Sequence, residues 1–282
     1  MKARRSFVAL GFLLCHAAAA GRTLAASDSF EADLAFGDEL MMQKRYPAAE
    51  LEYERLAAIH PADPRRDEAI ARMLNAAHQT EDYTFSLSLS RSWRDRLPDP
   101  SRCLPALYAV QSLYDLENYS GALSEGFPGD CPVDIHARYQ YVRGLSRLRL
   151  KDWNGAPQEF GAVNAGSVWR KNADEAAAGA PEGAVIHWKS PALAGTLSAV
   201  VPGSGYLYSD RPQTAAAAFT VCGLFGGATY SAAHAGQPGL AALLALLSLG
   251  WYSGGIYGSV QAAHRENTSR LSQFVQHFEI RW

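Results

Sequence analysis

Between Ser190 and His264 the chain has almost no charge: Asp210 and Arg211, side by side, are the only acidic or basic residues there apart from histidine. A water-facing domain needs polar groups on its outer faces, so lipid is the expected solvent for this run. Basic excess is also missing. The 26 Lys and Arg against 28 Asp and Glu leave a net charge of −2, which argues against nucleic acid as a partner. Cysteine is scarce, four in 282 residues, with no CxxC pair and no neighbouring His cluster, so metal and redox readings are weak. There is no HExxH, no phosphate-binding loop and no GxSxG; Pro202 stands where the first glycine of that last motif belongs. The eight histidines are scattered, and carboxylate pairs such as Glu50/Glu52 and Glu81/Asp82 fall at positions a structural repeat explains. Neither an enzyme nor a cofactor is expected.

What is present begins with an export signal. Lys2, Arg4 and Arg5 form a basic n-region, Phe7 to Cys15 a short apolar h-region, and Ala18-Ala19-Ala20 a small-residue cleavage site. The h-region is too short for a membrane anchor. The reading is Sec export, with the Arg4-Arg5 pair leaving the twin-arginine route open. Cys15 leaves with the signal, and Cys222 lies in an apolar segment as a small side chain. Cys103 and Cys131 remain in the exported part. In an oxidising periplasm they form a structural disulfide across 28 residues, contributing about 3 kcal/mol.

Self-comparison exposes a repeat. Gly37 to Ala49 and Gly144 to Ala156 share a spacing of twelve, and Tyr53 and Phe160 each follow their alanine by four, one helical turn. Worn copies lie between them, one with Ala71, Leu74 and Glu81-Asp82-Tyr83, the other with Leu113, Glu117-Asn118-Tyr119 and Ala122. Tyr46, Tyr83, Tyr119 and Trp153 recur every 34 to 37 residues. The pattern resembles the tetratricopeptide repeat family, whose unit is a helix, a turn and an antiparallel helix. Small residues on both helices allow close approach, the aromatic fills the wedge, and Pro61 ends the second helix of the first unit. The resemblance implies a concave face that takes a protein segment. Arg65-Arg66, Arg91, Arg94 and Arg96 give the second unit a basic cast, either for an acidic partner or as solvated helix surface.

From Gly161 to Lys189 the pattern dissolves. Ala177 to Gly183 reads as a loose linker, and Val185 to Pro191, with Trp188 and Lys189, as an interfacial collar. Three apolar stretches follow: Ala192 to Tyr208, broken by Pro202-Gly203-Ser204-Gly205, then Thr214 to Ala233 and Leu240 to Val260. The break is either a re-entrant bend lining a polar site or a tight turn for helix crossing. Gly223 and Gly227 form one GxxxG and Gly250, Gly254 and Gly258 two more, spaced for helix packing, on each other or in a homo-oligomer. The run Ser190 to Gly195 with Val201-Pro202-Gly203-Ser204-Gly205-Tyr206-Leu207-Tyr208, closed by Trp251 to Val260, resembles a signature of small bacterial membrane domains. Those carry a Pro-Gly-small-Gly-x-x-Tyr turn followed by one or two helices, and occur behind helical repeats in envelope proteins of unassigned function.

The expected fold is all-α: a TPR-like α-solenoid followed by a small two- to three-helix membrane domain. Its expected divisions are a signal peptide over 1–26, repeats over 27–165, linker and collar over 166–189, a membrane domain over 190–264 and an amphipathic tail over 265–282. The expected location is the bacterial inner membrane, with the repeats in the periplasm and lipids and a protein as partners. Three crossings put Arg265 and Arg270 inside; a re-entrant first stretch makes the tail periplasmic. The expected role is a tethered interaction scaffold. The alternatives are an accessory subunit of a transport or membrane-insertion assembly, or an outer-membrane protein closed by a strand through Phe274, Phe278, Ile280 and Trp282.

Overall fold

A computed structural model of the chain describes residues 29–279. The signal peptide, Cys15, Ile280 and Trp282 lie outside the described residues. No strand occurs among those described. The chain divides into two compact units: one takes it up to Leu150 together with Gly155–Asp174, the other Lys151–Asn154 together with Glu175 onward.

The first unit is a repeat-like succession of helices: α1 (residues 29–42), α2 (Tyr46–Ile59), α3 (Arg66–Gln79), α4 (Tyr83–Arg94), α5 (Cys103–Asp115), α6 (Tyr119–Ser124), α7 (Val133–Arg149) and α8 (Ala156–Gly161). Each of the four recurring aromatics follows a sharp turn. The residue two before it is left-handed in every case: Lys44, Glu81, Glu117 and Lys151, with φ of 58°, 61°, 57° and 61°. Such a residue closes the preceding helix by letting the next N–H reach back. Arg45 N–H donates to Leu40 O and Asn118 N–H to Leu113 O, both at 2.9 Å. The following helices are capped in two units, where Asp82 accepts from Phe85 N–H and Asn118 from Gly121 N–H, each at 3.0 Å.

The first two units have second helices of 14 and 12 residues; the next two have only 6 each. Gly126, Pro128 and Gly129 follow α6 and stop it. The fourth unit, which reads in sequence as a full copy, has an equally short second helix, Ala156–Gly161. Cys103 and Cys131 have their sulfurs at bonding distance and their Cα atoms 5.6 Å apart, tying the start of α5 to the loop before α7.

The second unit holds the end of α9 (Arg170–Gly179), a 3-10 turn (Ala180–Val185), α10 (Pro191–Val200), α11 (Ser204–Tyr208), α12 (Pro212–His234) and α13 (Pro238–Gln276). The stretch expected as a loose linker is thus helical. Its small residues are there because rings lie on them: a Cβ on Gly183 would sit 2.3 Å from the Trp153 ring, and one on Gly179 would sit 2.6 Å from Phe278. The expected tail is helical over most of its length. Residues 265–276 continue α13, and Phe274 packs edge-on to Trp153 at 5.7 Å and to Phe278 at 5.4 Å.

Candidate functional site

Two places concentrate function-bearing geometry. In the first unit, Tyr53 fills the space left by Gly37, and Phe160 the space left by Gly144. An added Cβ would lie 2.4 Å from ring carbon Cε1 in both cases. Ala49 and Ala156 are completely buried beside these pairs. Tyr53 donates its hydroxyl to Asp38 at 2.6 Å, and Arg72 reaches Asp38 from α3. Burial, then the Asp38 bond, pushes the Tyr53 hydroxyl above its ordinary range.

The arginines expected as a basic surface are largely spent inside the unit. Arg65 pairs with Asp63 and Glu31, and Arg91 and Arg94 both grip Glu125 at 2.5 Å. Glu159 is held in the same way, taking two 3.0 Å bonds from Arg143 and one of 2.9 Å from Arg147. Burial alone would raise the Glu159 and Glu125 carboxyls; the arginine bonds outweigh it and hold both below the usual carboxylate range. Arg66 and Arg96 are different. Neither meets a carboxylate among the described residues, and they flank the buried Trp93 ring at 5.6 and 5.8 Å. With Leu51, Glu54, Arg55 and Ala58 they line a groove of about 420 Å³, and Leu51 is 64% exposed on its rim. No group of three or more His, Cys, Asp or Glu placed to hold a metal occurs among the described residues.

The second place is the hairpin of α10 and α11. Pro191 starts α10 behind the Ser190 cap, whose hydroxyl accepts from Leu193 N–H at 3.2 Å. The Pro202-Gly203 break then reverses the chain. Gly203 takes φ of +87°, and a Cβ there would lie 2.4 Å from Ala215 O, so only glycine turns here. Gly205 packs so tightly that a Cβ would lie 1.9 Å from Ala194 O. The return is complete: Ser190 N–H donates to the Tyr208 hydroxyl at 2.9 Å. The first apolar stretch therefore folds back on itself, its two ends meeting. The bend leaves little polar surface, because serines satisfy it: Ser198 accepts from Gly205 N–H at 3.0 Å and Ser204 donates to Val201 O at 2.8 Å.

At the hairpin's base, Asp210 meets Lys189 at 3.0 Å and Arg270 at 2.8 Å. The Lys189 hydrogen bond is the main cause holding its carboxyl below the usual range. Asn267 locks the same point by exchanging two 2.8 Å bonds with the Lys189 backbone. Their pairing escaped sequence reading because 78 positions separate Lys189 from Asn267. Pairing here places the collar, Asp210 and residues 267–270 of α13 together.

Helices α12 and α13 are long and apolar enough to cross a membrane. The apolar span of α13 has no buried residue, and Leu243, Leu246, Leu249 and Trp251 are exposed. Left in water, each such side chain forgoes about 2 kcal/mol of transfer energy, which lipid supplies. The two helices pack on each other, and the glycines expected to seam a helix pair or a homo-oligomer are mostly open within this chain. Gly223, Gly227, Gly250 and Gly254 have no atom within 4 Å of an added Cβ, and Gly258 alone is covered, by the Tyr206 hydroxyl. Comparison with family models, curated proteins and solved structures finds no match.

Proposed function

We propose that the chain is a membrane-tethered scaffold whose repeat unit binds a protein segment outside the cytoplasm. The observation that carries it is the Trp93 groove, where Leu51, Ala58 and Trp93 lie among charged side chains and Arg66 and Arg96 meet no carboxylate among the described residues. Arg66 and Arg96 at its edge suit an acidic side chain on an apolar segment. The reading has no catalytic centre and no cofactor. It is tested by a photo-crosslinking residue at Leu51 in the full chain in native membranes. A discrete adduct that Arg96→Glu abolishes is expected. Adducts from Leu224 on α12, with none from Leu51, would instead favour the accessory subunit of a transport or insertion assembly.

The inner membrane, with repeats in the periplasm, is the location this reading takes. The export signal and the Cys103–Cys131 pair support it. Two crossings then bring the α13 end back to the side of the collar. That leaves Arg211, Arg265 and Arg270 outside, against the usual charge bias; long translocated domains override that bias. Alkaline phosphatase fused after Trp282 is expected to be active, and fused at Gln237 inactive. The reverse pattern would mean three crossings or repeats in the cytoplasm, and a fusion at Lys189 separates the two.

A further inference from the structure

The groove between α12 and α13 differs from the rest of the lipid-facing surface. Thr214, Ala217, Ala218 and Val221 recur at helical spacing along one face of α12, opposite Gly250, Gly254 and Gly255 of α13, and enclose about 350 Å³ with Tyr206 and Trp251. The walls are small or absent side chains, so the slot is cut into the helix pair. A slim alkyl chain fits.

The charge at one end selects the molecule that carries that chain. Only two charged residues stand within the apolar run, and they fare differently. Asp210 is consumed by Lys189 and Arg270. The Arg211 side chain makes no hydrogen bond or ion pair with any described residue. It precedes α12 and lies three residues, about one helical turn, before Thr214 at the near end of the groove. A guanidinium with no partner among the described residues, one turn before an alkyl slot, complements an anionic headgroup with its tail in the slot.

We propose that this groove is a binding site for one anionic phospholipid, with its headgroup on Arg211 and an acyl chain between α12 and α13. The site rests on the reading of α12 and α13 as membrane-spanning. Gly254, which has open space beside it, makes the site testable without a clash: Gly254→Leu fills the slot, while Gly223→Leu places the same bulk on open surface outside it.

The full chain is reconstituted in nanodiscs of equimolar phosphatidylcholine and phosphatidylglycerol, and retained lipid is read by native mass spectrometry. One phosphatidylglycerol per protomer is expected on the wild type. Gly254→Leu lowers its retention about tenfold, as displacing a few buried methylenes does, and Gly223→Leu leaves it unchanged. Arg211→Gln keeps a lipid but loses the preference for phosphatidylglycerol. Equal retention of both lipids by the wild type, or no effect of Gly254→Leu, overturns the proposal. So does a Gly254→Leu variant that loses dimers instead of lipid, which would make a second copy the occupant. Carbonate extraction of the wild type is read in parallel: release into the soluble fraction would sink the membrane reading itself, whereas integration without lipid selectivity sinks only the lipid site.

Discussion

Gly144→Ala is expected to lower the stability of the repeat unit by about 3 kcal/mol, a large effect for a single methyl group. The methyl would lie 2.4, 2.6 and 2.7 Å from three carbons of the Phe160 ring. Phe160 has no exposed surface and is backed by Tyr141, with ring centroids 5.2 Å apart, so the ring has little room to retreat. Phe160→Leu alone is also destabilising, since it leaves a void. The informative result is the double variant, in which the new methyl occupies part of that void. Its stability should exceed the sum of the single effects by about 1 kcal/mol or more. Thermal unfolding of the full chain in detergent, followed by near-ultraviolet circular dichroism, measures all three. Strict additivity would mean that Gly144 is not sized to the ring.

That pair was legible in sequence because a small residue faces a large one at a fixed spacing, as Gly37 faces Tyr53. The second unit hides the same design by exchanging partners. Leu74 and Ser90 hold the equivalent positions, both fully buried, with the large side chain now on the first helix. A comparison by residue type sees a worn copy where volume is conserved. The turns were illegible for another reason. Lys44, Glu81, Glu117 and Lys151 adopt a left-handed conformation that costs a non-glycine residue about 1 kcal/mol, and nothing in a Lys or a Glu announces it. Asp210, with φ of 59°, repeats the device before α12.

Composition misled most where distant residues decide. Ala177 to Gly183 has the makeup of a flexible linker, yet Gly179 and Gly183 are small because Phe278 and Trp153 cover them, and local sequence carries no trace of that cover. The glycine seams are the opposite case. Their spacing is plain, but four of the five glycines face open space within this chain. Spacing reported a packing-competent surface, not the surface this chain uses for itself.

Gly205→Ala should destabilise the membrane unit by at least about 3 kcal/mol, while Gly223→Ala stays within about 1 kcal/mol of wild type or gains slightly from helix propensity. Both replace a glycine by alanine in a helix of the same unit, so only the surroundings differ. At Gly205 the methyl would meet Ala194 O at 1.9 Å and Ser198 Oγ at 2.6 Å; at Gly223 it meets nothing within 4 Å. The blocking atom is backbone, and it is held from the far side as well, since Ser259 donates to the same oxygen at 3.1 Å. Relief requires α10 to leave either α11 or α13. Neither escape creates a crossing, because ten residues of α10 reach only about 15 Å, half the hydrocarbon thickness. The variant should therefore unfold at lower temperature in detergent, yet keep alkaline phosphatase active when fused after Trp282. A stability loss accompanied by an inverted fusion result would show that the hairpin directs topology. A loss without inversion assigns it to packing, with orientation set elsewhere in the chain.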